Sequence, residues 1–240
     1  MKMNSVTNVL RKALPLGYCG AVIVAAGNAT RMEGIDKVMA TLGDEPMILR
    51  TVRAFQNCDA IREIVIVTRK DLRLSVEELT RSCNKVRSVV VGGSSRDESV
   101  RNGLNALSDK VRLAAIHDGA RPLITGSLID RTVRAAHSYH AAAPGIPVKD
   151  TVKVVVGSIV KGTPDRSALR AIQTPQVFDI DLLKGALEKA RQDKAAITDD
   201  CSAVERLGMS VRIVEGDERN IKVTTPMDLK IAAMLLEEMQ

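Results

Sequence analysis

A few charged residues stand where chemistry could be done. In AVIVAAGNATRM, residues 21–32, an apolar run gives way to Ala25, Ala26 and Gly27, then to Arg31, with Lys37 six residues further on. Small side chains let backbone amides come close to an anion, and the two cations add charge. In HDGARP, residues 117–122, Asp118 directly follows another apolar run and Arg121 lies three residues on. A carboxylate so placed can hold a divalent cation, or it can pair with the arginine and shape the turn. Lys222 stands in ERNIKVTTPMDL, a short strand-like stretch before a helix start. The first loop is neither GxxxxGK[ST] nor GxGxxG, so the two commonest phosphate-binding signatures are absent from it. No serine or cysteine stands in a nucleophile motif.

These residues need a scaffold. Apolar, β-branched runs at 21–24, 63–68, 86–91 and 113–116 read as strands. Between them, PMILRTVRAFQ, DLRLSVEELTRS and SRDESVRNGLNAL carry apolar residues at helical spacing, with Pro46 suited to a first helical turn. Near-continuous apolar strands separated by helices predict an α/β fold, a doubly wound and mostly parallel sheet covered on both faces. Ligands of such sheets bind beyond the carboxyl ends of the strands. Ala25–Lys37, Gly92–Leu104 and His117–Pro122 all fall at that edge. Residues 143–170 break the rhythm. DTVKVVV and SIVKGT flank Gly157 and Ser158, a hairpin signal, and an isolated hairpin needs something to pack on. The chain thus reads as one domain, 1–240, with 143–170 a projecting β-arm whose natural partner is a second copy. TPQVF leads into a helix near 179–190. A helix near TDDCSAVERLG has Thr198 as its cap and Gly208 as its stop, VRIVEG reads as a strand, and a last helix starts at Pro226.

Composition narrows the partners. The 240 residues carry a net charge of +6, which favours anionic ligands. Aromatic residues are only 2% and the basic residues are dispersed, which argues against nucleic acid. No apolar run reaches membrane-spanning length, and the start of the chain does not read as a secretory signal, so a cytoplasmic location is expected. Cys19, Cys58, Cys83 and Cys201 form no zinc spacing and read as buried thiols. His137 and His140, at i and i+3, read as solvent-facing rather than as metal ligands.

The motifs VIVAAGNATRM, DK at 36–37, GGSSRDESVRNGL, HDGARP, PVKDTVK, PDRSALRAIQTPQVF, TDDCSAVE and NIKVTTPMDL occur in the order found in 2-C-methyl-D-erythritol 4-phosphate cytidylyltransferases. The chain resembles that family from residue 20 to about 238. The resemblance implies a CTP-dependent nucleotidyltransferase with a Rossmann-like fold. Methylerythritol phosphate would attack the α-phosphorus of CTP, releasing pyrophosphate, in non-mevalonate isoprenoid synthesis. It further implies that Ala25, Ala26 and Gly27 lie along the nucleotide and that Gly93 and Ser99 help read the cytosine. Arg31, Lys37 and Lys222 would neutralise the phosphates. Asp118 would lie by Mg2+, or another divalent cation, and the sugar phosphate, with Arg121 nearby. Thr174 would contact the acceptor, and Thr151 and Arg166 would come from the partner's arm in a homodimer. Ala29, Thr30, Asp36, Val38 and Ser94 depart from residues frequent in the family. The competing readings are a ribitol 5-phosphate cytidylyltransferase and, in another class, a non-catalytic nucleotide sensor.

Overall fold

The computed structural model describes residues 17–27 and 38–239. In chain order these form β1 (Cys19–Ala25), a short ribbon of β2 (Thr41–Leu42) and β3 (Glu45–Pro46), α1 (Met47–Gln56), β4 (Ile61–Thr68), α2 (Arg73–Leu79), β5 (Val86–Val91), α3 (Arg96–Ala106) and β6 (Leu113–Asp118). Then come α4 (Gly126–Tyr139), β7 (Ala141–Pro147), the hairpin of β8 (Val154–Val156) and β9 (Ile159–Gly162), β10 (Arg170–Ile172), β11 (Gln176–Asp179), α5 (Ile180–Gln192), α6 (Asp200–Glu205), β12 (Arg212–Glu215) and α7 (Pro226–Glu237).

The main sheet has eight strands in the order β10-β7-β11-β6-β1-β4-β5, with β12 also paired to β7. β6, β1, β4 and β5 run parallel, while β11 is antiparallel to both β6 and β7. The alternation along β1 explains the two covered faces. Ala21, Ile23 and Ala25 point into a core with α1, α2 and α4. Val22 points the other way, into a core with α3, α5 and α6. This is the doubly wound arrangement expected from uninterrupted apolar strands. A third, smaller cluster seats α7 through Ala232 and Leu236 against Leu42, Met47 and Val223. Among the described residues no helix is long and apolar enough to cross a membrane.

Local chemistry sets several element ends differently from the sequence reading. Pro46 is the N-cap of α1 rather than a residue of its first turn. The stretch from Lys70 splits into a 3-10 turn and the shorter α2. Asp199, not Thr198, caps α6, because its carboxylate accepts from the Ser202 N–H in a reciprocal capping box. The projection also begins later than 143. Ala141–Pro147 form β7 inside the sheet, with Ala141, Ala142 and Ala143 fully buried, and Arg170–Ile172 return to it as β10. What projects is the β8–β9 hairpin, turning at Gly157, whose φ of +60° favours a residue without a Cβ. His140 ends α4 in the left-handed region, so it does not share a helical face with His137.

Candidate active site

The sheet reverses its winding at β1. The chain leaves β1 for β4 on one side and arrives at β6 on the other, so the crevice beyond the carboxyl ends of β1 and β6 is a topological switch point. A cavity of about 350 Å³ opens there. Ala25, Ala26 and Gly27 line it from the end of β1, Gly93 and Ser95 from the loop after β5, Ser99 from the first turn of α3, and Asp118 and Lys222 from the far side. Gly92 explains the small residues of the first loop. A Cβ at this position would fall onto the Ala26 methyl and the Ser99 hydroxyl, so the β5 loop packs its bare backbone directly against the Ala26 methyl.

The β5 loop holds its own shape. The Gly92 N–H donates to the Thr68 carbonyl (2.9 Å) and the Gly93 N–H donates to Ser99 Oγ (3.0 Å). The Ser99 hydroxyl in turn donates to the Ser95 carbonyl (2.9 Å). Ser94 gives both its N–H and its O–H to Glu98 Oε2, which keeps the Glu98 carboxyl below its usual range. Ser95 caps α3 by accepting from the Glu98 N–H. The Ser99 side chain is therefore buried and engaged by the loop, while the residue still lines the cavity beside Gly93.

Asp118 is the electrostatic centre. Its Oδ2 lies 2.9 Å from Lys222 Nζ and 3.5 Å from Arg121 Nε, and its Oδ1 lies 3.9 Å from Arg96 Nε. Burial opposes ionisation of this carboxyl, but Lys222, Arg96 and Arg121 together outweigh it and hold its pKa at about 2. Lys222 reaches the site because the Val223 N–H donates to the Ala120 carbonyl (2.8 Å) while the Val223 side chain is buried. Arg121 is buried too, with Nη1 donating to the Asn220 carbonyl (2.7 Å). Burial draws its guanidinium below the usual pKa against the pull of Asp118.

Two parts of this site escaped the sequence reading. Arg96, the first residue of α3, lines the cavity and pairs with the fully buried Asp200 at 2.7 Å. Burial opposes charge on Arg96, yet Asp200 and Asp118 raise its pKa. Both residues lie in motifs quoted above, but they are 104 positions apart, and nothing in the spacing announces the pair. The other part is the polar layer behind Asp118, made by His117, Gln173, Thr174 and Asn220, all buried. Thr174 belongs to it. Its hydroxyl sits against the Asp118 N–H and His117 Nδ1, at 3.1 and 3.0 Å. Thr174 is not among the residues that line the cavity of its own chain.

The remaining expectations divide. Arg31 and Lys37, with Ala29, Thr30 and Asp36, lie outside the described residues, but Gly27 and Val38 on either side of that stretch both line the cavity. Thr151 and Arg166 are exposed at the arm and do not line the cavity of their own chain, and Arg166 Nη1 donates to the Lys149 carbonyl. Among the described residues no three His, Cys, Asp or Glu side chains cluster as a metal cage. All four cysteines are free and buried.

Comparison with known proteins follows this geometry. The family description "2-C-methyl-D-erythritol 4-phosphate cytidylyltransferase" (IspD) matches residues 19–238. A protein of that name from Caldanaerobacter subterraneus subsp. tengcongensis is 43% identical over 223 residues, covering 91% of this chain and 98% of the relative. One from Geobacillus thermodenitrificans is 44% identical over 220 residues, covering 90% and 96%. The crystal structure of 4-diphosphocytidyl-2C-methyl-D-erythritol synthase from Anaerococcus prevotii superimposes with a TM-score of 0.84 at 30% identity, covering 92% of this chain and 96% of that one. Sequence and fold agree, and the chain belongs to the 2-C-methyl-D-erythritol 4-phosphate cytidylyltransferase family.

Proposed function

We propose that this protein transfers the cytidylyl group of CTP to the phosphate of 2-C-methyl-D-erythritol 4-phosphate. An acceptor phosphate oxygen forms a bond to the α-phosphorus, the bond to the bridging oxygen breaks, and pyrophosphate leaves with its electron pair. The observation that carries the reading is the juxtaposition of the small-residue end of β1 with Asp118 and Lys222 across one cavity. Phosphoryl-type transfer asks a protein mainly for positioning and charge, and this site offers both without a covalent nucleophile.

In this reading Ala25, Ala26, Gly27 and Gly93 hold the cytidine, with Ser99 shaping the loop. Lys222 neutralises the α-phosphate, and Arg31 and Lys37 act on the triphosphate from the stretch bounded by Gly27 and Val38. Arg96, held by Asp200, adds a further cation on the β5 side. Asp118 orients Lys222 and Arg121. A single carboxylate fits a divalent cation that keeps several waters and phosphate ligands, as Mg2+ does, and not a cage made by protein alone. Asp118 would hold it, and the ion would spread the charge of the triphosphate.

Thr151 and Arg166 complete the acceptor pocket from a second copy in a homodimer. Support comes from the arm itself, which leaves Val154, Val155, Val156 and Ile159 in solvent. A cytoplasmic location is part of the same proposal, in keeping with the unpaired cysteines. The test is pyrophosphate release with CTP and Mg2+, offering methylerythritol phosphate in one reaction and ribitol 5-phosphate in another. Release with the first alone is expected. Release with ribitol 5-phosphate alone would overturn the acceptor, and CTP binding without release would favour the sensor.

A further inference from the structure

His117 is fully buried at the end of β6, one residue before Asp118, and no step above uses it. Its Nε2 lies 3.3 Å from the Arg121 carbonyl oxygen, and its Nδ1 lies 3.0 Å from Thr174 Oγ1. A carbonyl only accepts, so Nε2 carries the ring proton and Nδ1 is the acceptor. The Thr174 hydroxyl therefore donates to Nδ1, which leaves its oxygen to receive the Asp118 N–H. Each proton in this chain has one direction. Burial keeps the imidazole neutral, its pKa lowered to about 3 against the pull of Asp118. Phe55 covers one side of the ring, with centroids 4.9 Å apart.

The ladder explains why a side chain is needed. β11 pairs with β6 up to Gln176 opposite Ile116. Two residues further, the same register would set Thr174 opposite Asp118, but β11 ends at Gln176 and the Thr174 carbonyl accepts from Asn220 Nδ2 instead. The Thr174 hydroxyl takes over as acceptor for Asp118, and His117 fixes that hydroxyl. The same ring grips the carbonyl of Arg121. It thus ties both ends of the turn that carries the Asp118 carboxylate and the Arg121 guanidinium, 3.5 Å apart. Asn220 extends the layer by donating to the Thr174 carbonyl (2.9 Å) and accepting from Arg121.

We infer that His117 is a positioning residue, acting through Thr174 and the Arg121 carbonyl to aim the Asp118 carboxylate into the cavity towards the acceptor and to hold Arg121 beside it. The inference rests on the cytidylyl-transfer reading. Misplacing such groups by about 1 Å costs on the order of a hundredfold in rate. The hydrogen bonds of this layer do not extend to Ala25–Gly27 or Gly93 on the cytidine side.

The experiment compares His117→Phe, Thr174→Val, Thr174→Ser and the double variant His117→Phe/Thr174→Val. Melting temperature, kcat and KM for both substrates are measured, with Val76→Ala in the distant core as a stability control. Either of His117→Phe and Thr174→Val is expected to lower kcat/KM for the acceptor by roughly ten- to a hundredfold and to leave KM for CTP within about twofold. The double variant should be no worse than the worse single one, Thr174→Ser should recover most activity, and Val76→Ala should lose stability without losing rate. Imidazole 15N shifts at pH 8 should report the Nε2–H tautomer. Losses that add in the double variant, a folded His117→Phe at the wild-type rate, or a ring protonated at Nδ1 alone would overturn the inference. If His117→Phe does not fold, a Thr174→Val protein at the wild-type rate overturns it instead. Wild-type protein that releases no pyrophosphate overturns the reaction reading and this role together, whereas active wild type with unaffected variants overturns this role alone.

Discussion

The crevice behind Asp118 and the β8–β9 arm break the usual rule of burial in opposite directions. In the crevice, polar and charged groups are inside: His117, Asp118, Arg121, Gln173, Thr174, Asp200 and Asn220 are all buried. In the arm, apolar groups are outside, with Val156 64% and Ile159 62% exposed. The first region finds most of its partners within one chain, although Arg121 Nε, Asp200 Oδ1 and Asn220 Oδ1 are buried without a hydrogen bond. Asp118 meets three cations, and the layer behind it is hydrogen-bonded within one chain. The second does not. Covering a valine or isoleucine is worth about 1.5–3 kcal/mol, and a lone two-stranded hairpin is marginal in water. The difference teaches where each region finds its partners. The crevice has them in its own chain, whereas the apolar residues of the arm have no cover there, which the proposed homodimer would supply. The two are joined at the base of the arm, where Lys149 pairs with Glu218 at 2.7 Å, four residues before Lys222.

The largest effect belongs to the crevice. Asp118→Ala leaves Lys222, Arg96 and Arg121 without their shared counter-charge, and kcat/KM should fall by roughly 10²–10³, the scale of losing one preorganised electrostatic group. Steady-state pyrophosphate release measures it, and a loss of under tenfold would remove Asp118 from the centre of the site.

On the arm, Val155→Asp with Ile159→Asp places charge where apolar cover is proposed. Sedimentation should shift from dimer to monomer, and kcat/KM for the acceptor should fall by about tenfold or more as an oriented contact is lost. CTP binding should persist. A monomer as active as the wild type would end the distinction drawn between the two regions.

The smallest effect is on stability against pH. His117 titrates at about 3 in the folded protein, below its ordinary 6.5. Below pH 6.5 the unfolded chain takes up a proton that the folded protein refuses, so stability falls as pH drops from about 6.5 towards 3. Asp118 adds a later loss, because its carboxyl at about 2 favours folding above the ordinary 3.8 and ceases to as pH falls through that window. Between pH 6.5 and 5, denaturant unfolding should show a slope from His117 of up to about 1.4 kcal/mol per pH unit. That component should be missing in His117→Phe, and equal slopes in the two proteins would contradict a neutral buried imidazole.

Much of this was legible in the sequence, for identifiable reasons. β1, β4 and β6 are buried on both faces, so their apolar runs are unbroken, and the loops at their carboxyl ends stand out by contrast. β7 was hidden because Ala141–Pro147, built from alanine, glycine, proline and a single isoleucine, has little strand propensity of its own and is a strand through its pairing with β10, β11 and β12. The arm therefore seemed to begin too early. Asp118 and Lys222 were visible because each follows or lies in a strand-like run. Arg96–Asp200 and His117–Thr174 were not, since contacts 104 and 57 positions apart leave no local periodicity. Polar residues buried behind a loop look, in sequence, like the loop.

The most direct test mixes two variants. Lys222→Ala disables the crevice and Arg166→Ala disables the arm, and each dimer alone should be nearly inactive in pyrophosphate release. After dissociation and random reassociation, a site built from the crevice of one chain and the arm of the other is intact once per mixed dimer, so about a quarter of wild-type activity should return. No recovery, with mixed dimers shown to form, would mean that each chain completes its own site and would contradict the account.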